Sequence, residues 1–282
     1  MNIHCNDRTK ISFGKLSDPG VVKNSPLATD EIRSRYFTTK NFQYIVDHIA
    51  EMFGLKHNSV QATVISKDVQ YGWIDQNRNS RIDPEEIVIQ FTMNAAINTY
   101  SRTSYYGKHF MYYNALQYGY PVIFGIVAHE IGHLINRYAM TTLETQIIGG
   151  ESVLVQTSEL DPRWDELCAD YLAGIVLAKA MPRLSQEPLI QCLRNSQADS
   201  EHPDGFWRVY AIEMGYQWGC NNSPMLTSRI LSDTRQIRQL LQSFCQLYYR
   251  QIYGGVNPRI RSQYSNLPPA FSVPCAIPLG RI

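Results

Sequence analysis

The sequence predicts an α+β fold, with a small mixed sheet and one buried helix ahead of a mainly helical C-terminal part. Three observations carry that expectation. Short runs of β-branched and aromatic residues lie before residue 120, an unusually apolar stretch opens at Pro121, and helical periodicity dominates from Trp164 onward. Residues 1–28 read as irregular, with turn signals at Asp18-Pro-Gly20 and Ser25-Pro26. Asn41–Phe53 reads as an amphipathic helix with Phe42, Ile45, Val46, Ile49 and Phe53 on one stripe and Gly54 as its stop. Val60–Ser66, Glu86–Thr92 and Lys108–Tyr113 have strand composition. The stretch from Pro121 to Ala128 is apolar enough for a buried helix, which runs on through Asn136. Further helical patterns follow at Gln186–Arg194, Pro203–Trp218 and Pro224–Tyr253. Beyond Gly254, Pro258, Pro268, Pro269, Pro274 and Pro278 predict an extended tail over 255–282. The main domain is therefore 29–254, with a sheet-containing part at 29–120 and a helical part at 121–254.

Composition bounds the function. A chain of 282 residues with 44% hydrophobic content can bury a sizeable core. A net charge of +1 makes no electrostatic case for nucleic acid or an anionic membrane as partner. No run approaches the ~20 apolar residues that a transmembrane helix requires. Met1–Lys10 lacks an apolar secretory core, so export by a cleaved signal is not expected. The six cysteines are scattered and form no Cys-x-x-Cys, which suits reduced thiols and a cytoplasmic location. Cys168 in particular reads as a small buried thiol rather than half of a bridge.

Chemistry enters at His129-Glu130-Ile131-Gly132-His133. Histidines four apart on a helix share a face about one turn, or ~6 Å, apart, so both imidazoles can reach one metal ion. Zinc is the usual occupant of such a site. The intervening Glu130 projects toward the same pocket, where it can take a proton from an attacking water. Two satisfied core histidines are the plainer alternative.

A metal of this kind needs a third protein ligand. The downstream acids are Glu144, Glu151, Glu159, Asp161, Asp165, Glu166 and Asp170. Glu166 and Asp170 stand out in a strongly apolar helical setting, four apart and therefore on one face. There Glu166 can bind the metal while Asp170 holds the free ring nitrogen of a liganding histidine. Solvent-facing acids on an amphipathic helix are the alternative. Leu167, Ala169, Leu172, Ala173, Ile175 and Val176 weaken it, because they leave little polar surface on that helix.

A third block, His202-Pro203 with Arg208 six residues on and Gly215-Tyr216 closing the helix, completes a pattern. With His-Glu-x-x-His and Glu-x-x-x-Asp it resembles the gluzincin group of zinc peptidases. The relatives in pattern are the CAAX prenyl proteases, the heat-shock membrane peptidases and the bacterial neutral zinc metallopeptidases. The three blocks span Val122 to Gly219, about a third of the chain. The resemblance implies a zincin-like fold, a zinc ion on His129, His133 and Glu166, and Glu130 as general base. It also implies an edge strand that holds a peptide substrate by β-pairing. Ile89–Thr99 is the candidate edge, with an ordinary covered strand as the even alternative. The membrane segments of those families have no counterpart in this sequence.

The remaining roles stay open at this level. The developing oxyanion needs a donor, either His202 or one of the 18 tyrosines. His202 reads equally as a structural residue at a helix start, with Arg208 pinning the helices of the zinc site. Tyr112, Tyr113, Tyr118 and Tyr120 read as packing residues. Asp75–Glu86 matches a calcium-binding EF-hand loop at most oxygen positions, but Ser80 replaces the turn glycine and Thr63–Trp73 and Ile87–Phe91 read as strands. A polar hairpin loop is the competing reading. The function expected is a zinc-dependent peptidase acting on peptides or proteins, with a tilt toward endopeptidase. A catalytically silent zinc-binding scaffold or sensor is the alternative. A purely structural zinc would want four Cys/His ligands, which the motif does not supply.

Overall fold

A computed structural model describes residues 37–65, 72–73, 87–88, 95–99, 101–148, 151–158, 162–180, 183–198, 202–222 and 233–253. The segments expected to be irregular (1–28), calcium-binding (Asp75–Glu86) and extended (255–282) lie outside those residues. Among the described residues the fold is mixed and mostly helical, with seven helices and a small three-stranded sheet.

Helix α1, Thr39–Met52, starts where Thr38 Oγ1 accepts from Asn41 N at 3.3 Å. It buries Phe42, Ile45, Val46 and Ile49, the stripe the sequence predicts, and Phe53 is buried just past its end. The turn into β1, Gln61–Ile65, passes through Asn58 at φ +57°, whose N–H donates to buried Asp47 Oδ1 at 2.7 Å. Gln43 then acts as a surrogate strand. Its Nε2 donates to Val60 O at 2.8 Å and its Oε1 accepts from Ala62 N at 2.8 Å. Thr39 Oγ1 accepts from Val64 N at 3.1 Å, so side chains of α1 cover the outer edge of β1.

Two short strands, β2 (Gly72–Trp73) and β3 (Ile87–Val88), pair antiparallel on either side of the segment containing Asp75–Glu86. The main sheet has the order β1-β5-β4, where β4 is Ala95–Asn98 and β5 is Thr103–Gly107. β1 runs parallel to β5, and β4 runs antiparallel to it. The strand expected within Ile89–Thr99 is thus β4, at one end of the strand order, and residues 89–94 lie outside the described set.

One expected strand is a helix. Lys108–Tyr113 belongs to α2, Lys108–Tyr118. Its aromatic residues favour strands, but Gly107 ends β5 and opens the helix, and Gly119 at φ +87° closes it. Helical coiling buries Phe110, Met111 and Asn114, and Asn114 Nδ2 donates back to Phe110 O at 2.9 Å. Tertiary burial overrides the local preference.

Helix α3, Pro121–Ala139, has proline at its start, where the missing N–H is harmless. It is buried along nearly its whole length. A hairpin follows, β6 (Thr141–Ile148) and β7 (Glu151–Ser158), and returns the chain to α4, Pro162–Lys179. The sequence patterns did not anticipate this hairpin. Helices α5 (Glu187–Leu193), α6 (Gly205–Asn221) and α7 (Thr234–Tyr253) complete the fold. The expected Pro224–Tyr253 helix thus corresponds to α7, with residues 223–232 outside the described set. No helix among the described residues is long and apolar enough to cross a membrane.

Helices α3, α4 and α6 pack in contact, and glycines set their spacing. A Cβ on Gly132 would stand 2.9 Å from Ala169 Cα, and one on Gly215 would stand 1.9 Å from Tyr171 O. Both crossings therefore require glycine. The first sets α4 against the histidine face of α3. The second sets α6 against α4.

Candidate metal centre

Helix α3 presents His129 and His133, and α4 presents Glu166 across the Gly132–Ala169 crossing. The Nε2 atoms of the two histidines are 3.0 Å apart. Glu166 Oε2 lies 3.5 Å from His129 Nε2, and Oε1 lies 3.4 Å from His133 Nε2. A tetrahedral ion with bonds near 2.05 Å has ligand-to-ligand edges of ~3.3 Å. Each histidine thus has a Glu166 oxygen at about the length of such an edge, the three ligand atoms lie within 4.8 Å of one another, and this buried group can hold a metal ion.

The hydrogen bonds behind the ligands set which nitrogen faces the ion. His129 Nδ1 donates to Asp170 Oδ1 at 2.7 Å, and His133 Nδ1 donates to Asp165 Oδ2 at 2.8 Å. Ionised carboxylates only accept, so the ring proton sits on Nδ1 and the lone pair on Nε2. Two lone pairs facing each other at 3.0 Å are unfavourable unless a proton or a metal ion lies between them. Asn136 Nδ2 steadies Asp165, donating to its Oδ1 at 2.8 Å and to its backbone oxygen at 2.9 Å.

Arg208, from α6, closes the back of the site. Its Nε donates to Asp170 Oδ2 at 2.7 Å and its Nη2 to Oδ1 at 3.0 Å, a bidentate grip. The same Nη2 lies 3.3 Å from Glu166 Oε2. Both arginine and aspartate are fully buried. The buried carboxyl groups of Glu166 and Asp170 outnumber the Arg208 guanidinium, so a cation at the histidines would lower the cost of burying them.

Electrostatics follow this arrangement. Burial alone would push the Glu166 carboxyl up, but His133 and Arg208 outweigh it and hold it well below its ordinary range. Burial likewise opposes ionisation of Asp170, and Arg208 and His129 hold it low. Burial pulls His129 down, and Asp170 with Glu166 more than reverses that, leaving it above its usual value. Burial also pulls His133 down, and Asp165 and Glu166 raise it well above. Glu130 differs. It is fully buried, neither carboxylate oxygen has a hydrogen-bond partner, and burial pushes its pKa up to about 7 against the pull of His129 and His133.

His202 reaches the same cluster. Its Nε2 stands 3.8 Å from Glu166 Oε1, and the residue is 5% exposed. The turn before α6 positions it, where Gly205 N donates to Ser196 O at 2.9 Å and Asp204 Oδ1 caps Phe206 N at 2.9 Å.

All seven site residues named from the sequence converge here: His129, Glu130, His133, Glu166, Asp170, His202 and Arg208. Asp165, one of the acidic candidates in the sequence, takes a place there that its spacing did not assign, behind His133. A signal existed, because two liganding histidines require two Nδ1 acceptors, and Asp165 and Asp170 flank Glu166 on one helix. Of the tyrosines considered, Tyr112 is core and meets Phe37 edge-on at 5.5 Å, whereas Tyr120 is 56% exposed. Tyr106, fully buried on β5, is the tyrosine whose pKa is raised by burial and then by the Glu130 charge. Comparison with protein-family models, with curated proteins and with solved structures finds no match, so the chemistry of this centre is read from its own geometry.

Proposed function

We propose that the protein is a zinc-dependent peptidase with a zincin-like catalytic core, hydrolysing peptide bonds with Glu130 as general base. The observation that carries this reading is a buried carboxylate without a hydrogen-bond partner, Glu130, beside three convergent metal-ligating atoms. A metal-holding fold has no use for such a group, whereas hydrolysis has. Zinc is the ion the two imidazoles and one carboxylate suit, and when bound it would supply Lewis acidity to a water and to the scissile carbonyl.

The chain's own residues supply the rest. Asp165 and Asp170 keep the histidine Nε2 atoms aimed inward. Arg208 holds Asp170 and Glu166 as anions. Glu130 takes a proton from the attacking water as its oxygen bonds to the carbonyl carbon, and passes that proton to the amine nitrogen as the C–N bond breaks. His202 is the candidate donor to the developing oxyanion. Substrates are peptides or proteins, with endopeptidase action as the working assignment.

A second reading, a catalytically silent metal-binding scaffold or sensor, draws on one observation. His129, Glu130, His133 and Glu166 are all nearly inaccessible to solvent. Glu130→Gln discriminates. On the peptidase reading the variant retains stoichiometric zinc by mass spectrometry, while cleavage of a peptide library falls about 100- to 10,000-fold. Zinc-loaded wild-type protein that cleaves no member of the library would establish the scaffold instead.

A further inference from the structure

Helix α4 is two-faced. One face carries Glu166 and Asp170 into the metal centre. The opposite stripe, Trp164, Cys168 and Tyr171, packs against α7. Tyr171 stacks on Phe244 with ring centroids 4.2 Å apart and planes 15° from parallel, and Trp164 meets Tyr248 edge-on at 5.7 Å. Between these aromatic pairs Cys168 Sγ lies 3.5 Å from Cys245 Sγ, and both thiols are fully buried. Tyr248 then donates to Trp207 O at 2.9 Å, so α7 clasps α4 and α6 together.

We propose that Cys168 and Cys245 are a redox staple, a thiol pair that oxidises to a disulfide joining α7 to the back of the helix bearing Glu166 and Asp170. Closing the gap to a disulfide length of ~2.05 Å takes a movement of ~1.5 Å, within reach of rotation about the two Cα–Cβ bonds. The aromatic contacts on either side hold the helices at a fixed spacing, so the sulfurs stay opposed. The other described cysteines are differently engaged. Cys192 Sγ donates to Asn114 Oδ1 at 3.1 Å, and Cys220 is a half-buried free thiol near the end of α6.

The oxidant class is a small-molecule disulfide. In two exchange steps both S–H bonds are lost, one S–S bond forms, and the oxidant leaves as two thiols carrying the two electrons and both protons. Because the pair is buried, exchange takes place when α7 lifts from α4 or as the chain folds. The crosslink spans 77 positions, and a loop of that length strongly restricts the unfolded chain.

The test uses the full chain, reduced and then either treated natively or refolded with oxidised glutathione, and alkylated during unfolding. Peptide mapping without reductant should yield a Cys168–Cys245 linked peptide that dithiothreitol removes. The thermal midpoint should rise by roughly 5–10 °C in the oxidised form. Cys245→Ala should lose both the linked peptide and the oxidant-dependent rise, whereas Cys220→Ala should keep both. If Cys245→Ala does not fold, the wild-type peptide map decides alone. Alkylated thiols or glutathione adducts at both positions in every arm would overturn the proposal, as would pairing of either with Cys192 or Cys220.

Discussion

His129 and His133 face each other through their Nε2 atoms at 3.0 Å because each ring donates its Nδ1–H to an aspartate. That spacing is tolerable with a proton or a metal ion between the rings, and unfavourable with neither. Metal uptake should therefore displace protons, with apparent zinc affinity falling up to tenfold per pH unit for each proton displaced as pH drops. Calorimetric titration in buffers of different ionisation enthalpy measures that release. Uptake without proton exchange would refute the opposed-lone-pair arrangement.

Stability of the metal-free protein has a definite pH slope. His129 and His133 are raised above their ordinary 6.5 when folded, so their contribution is complete below that value and is lost as pH climbs through the folded value. Glu130 has the same sign, because its pKa rises from 4.5 to about 7 on folding, and its contribution fades across that interval. Glu166 and Asp170, held low, lose theirs only as pH falls below the carboxylate range. The expected result is a thermal midpoint that declines from about pH 6 to about pH 8 in chelator, and a decline that zinc removes or reverses. A metal-free midpoint that climbs over that interval would contradict the assignment.

Asp165 and Asp170 stand behind the two histidines but differ in what else they hold. Asp165→Asn should weaken zinc about 10- to 100-fold and leave the fold intact, because its side chain is 31% exposed. Asp170→Asn should weaken zinc similarly and also destabilise the chain by about 3 kcal/mol, since Arg208 loses its bidentate carboxylate while fully buried. Chelator competition and chemical denaturation measured side by side separate the two effects. Equal stability losses would mean that Arg208 does not depend on Asp170.

The α4–α6 crossing sets where Arg208 reaches. At Gly215 an added methyl would sit 1.9 Å from Tyr171 O, and the opposing atom is backbone. Gly215→Ala should accordingly cost about 3 kcal/mol and loosen the Arg208–Asp170 pair. Denaturant midpoints check the first effect, and zinc affinity checks the second. A variant as stable as wild type would show that the crossing has room to spare.

Much of the centre was legible because helical spacing is rigid. Positions i and i+4 on α3 and on α4 place His129 with His133, and Glu166 with Asp170, whatever the rest of the chain does. The pairing of Asp165 with His133 was not legible because Asp165 neighbours Glu166 in sequence, and adjacent helical residues point about 100° apart. Only the crossing of α4 over α3 brings it to His133. The Lys108–Tyr113 segment failed for a different reason. Its aromatic content favours a strand, and the decisive factor, burial of Phe110, Met111 and Asn114 against the core, is not local. The sequences of β6 and β7 mix polar and apolar residues at alternate positions, which blurs the period-two pattern that marks a strand.

That hairpin sends the chain away from α3 and brings it back beside α3, with Thr141 paired to Ser158 at its base. The first and last ligands, His129 and Glu166, are therefore coupled through the base of the ribbon and not through its length. Removing the pairs from Thr145–Leu154 to Ile148–Glu151 and closing the turn should leave zinc affinity within about twofold, as read by chelator competition. The ribbon is in this sense an adapter port. Its length is free to change on this expectation, while α3 and α4 keep the metal-ligating residues in register.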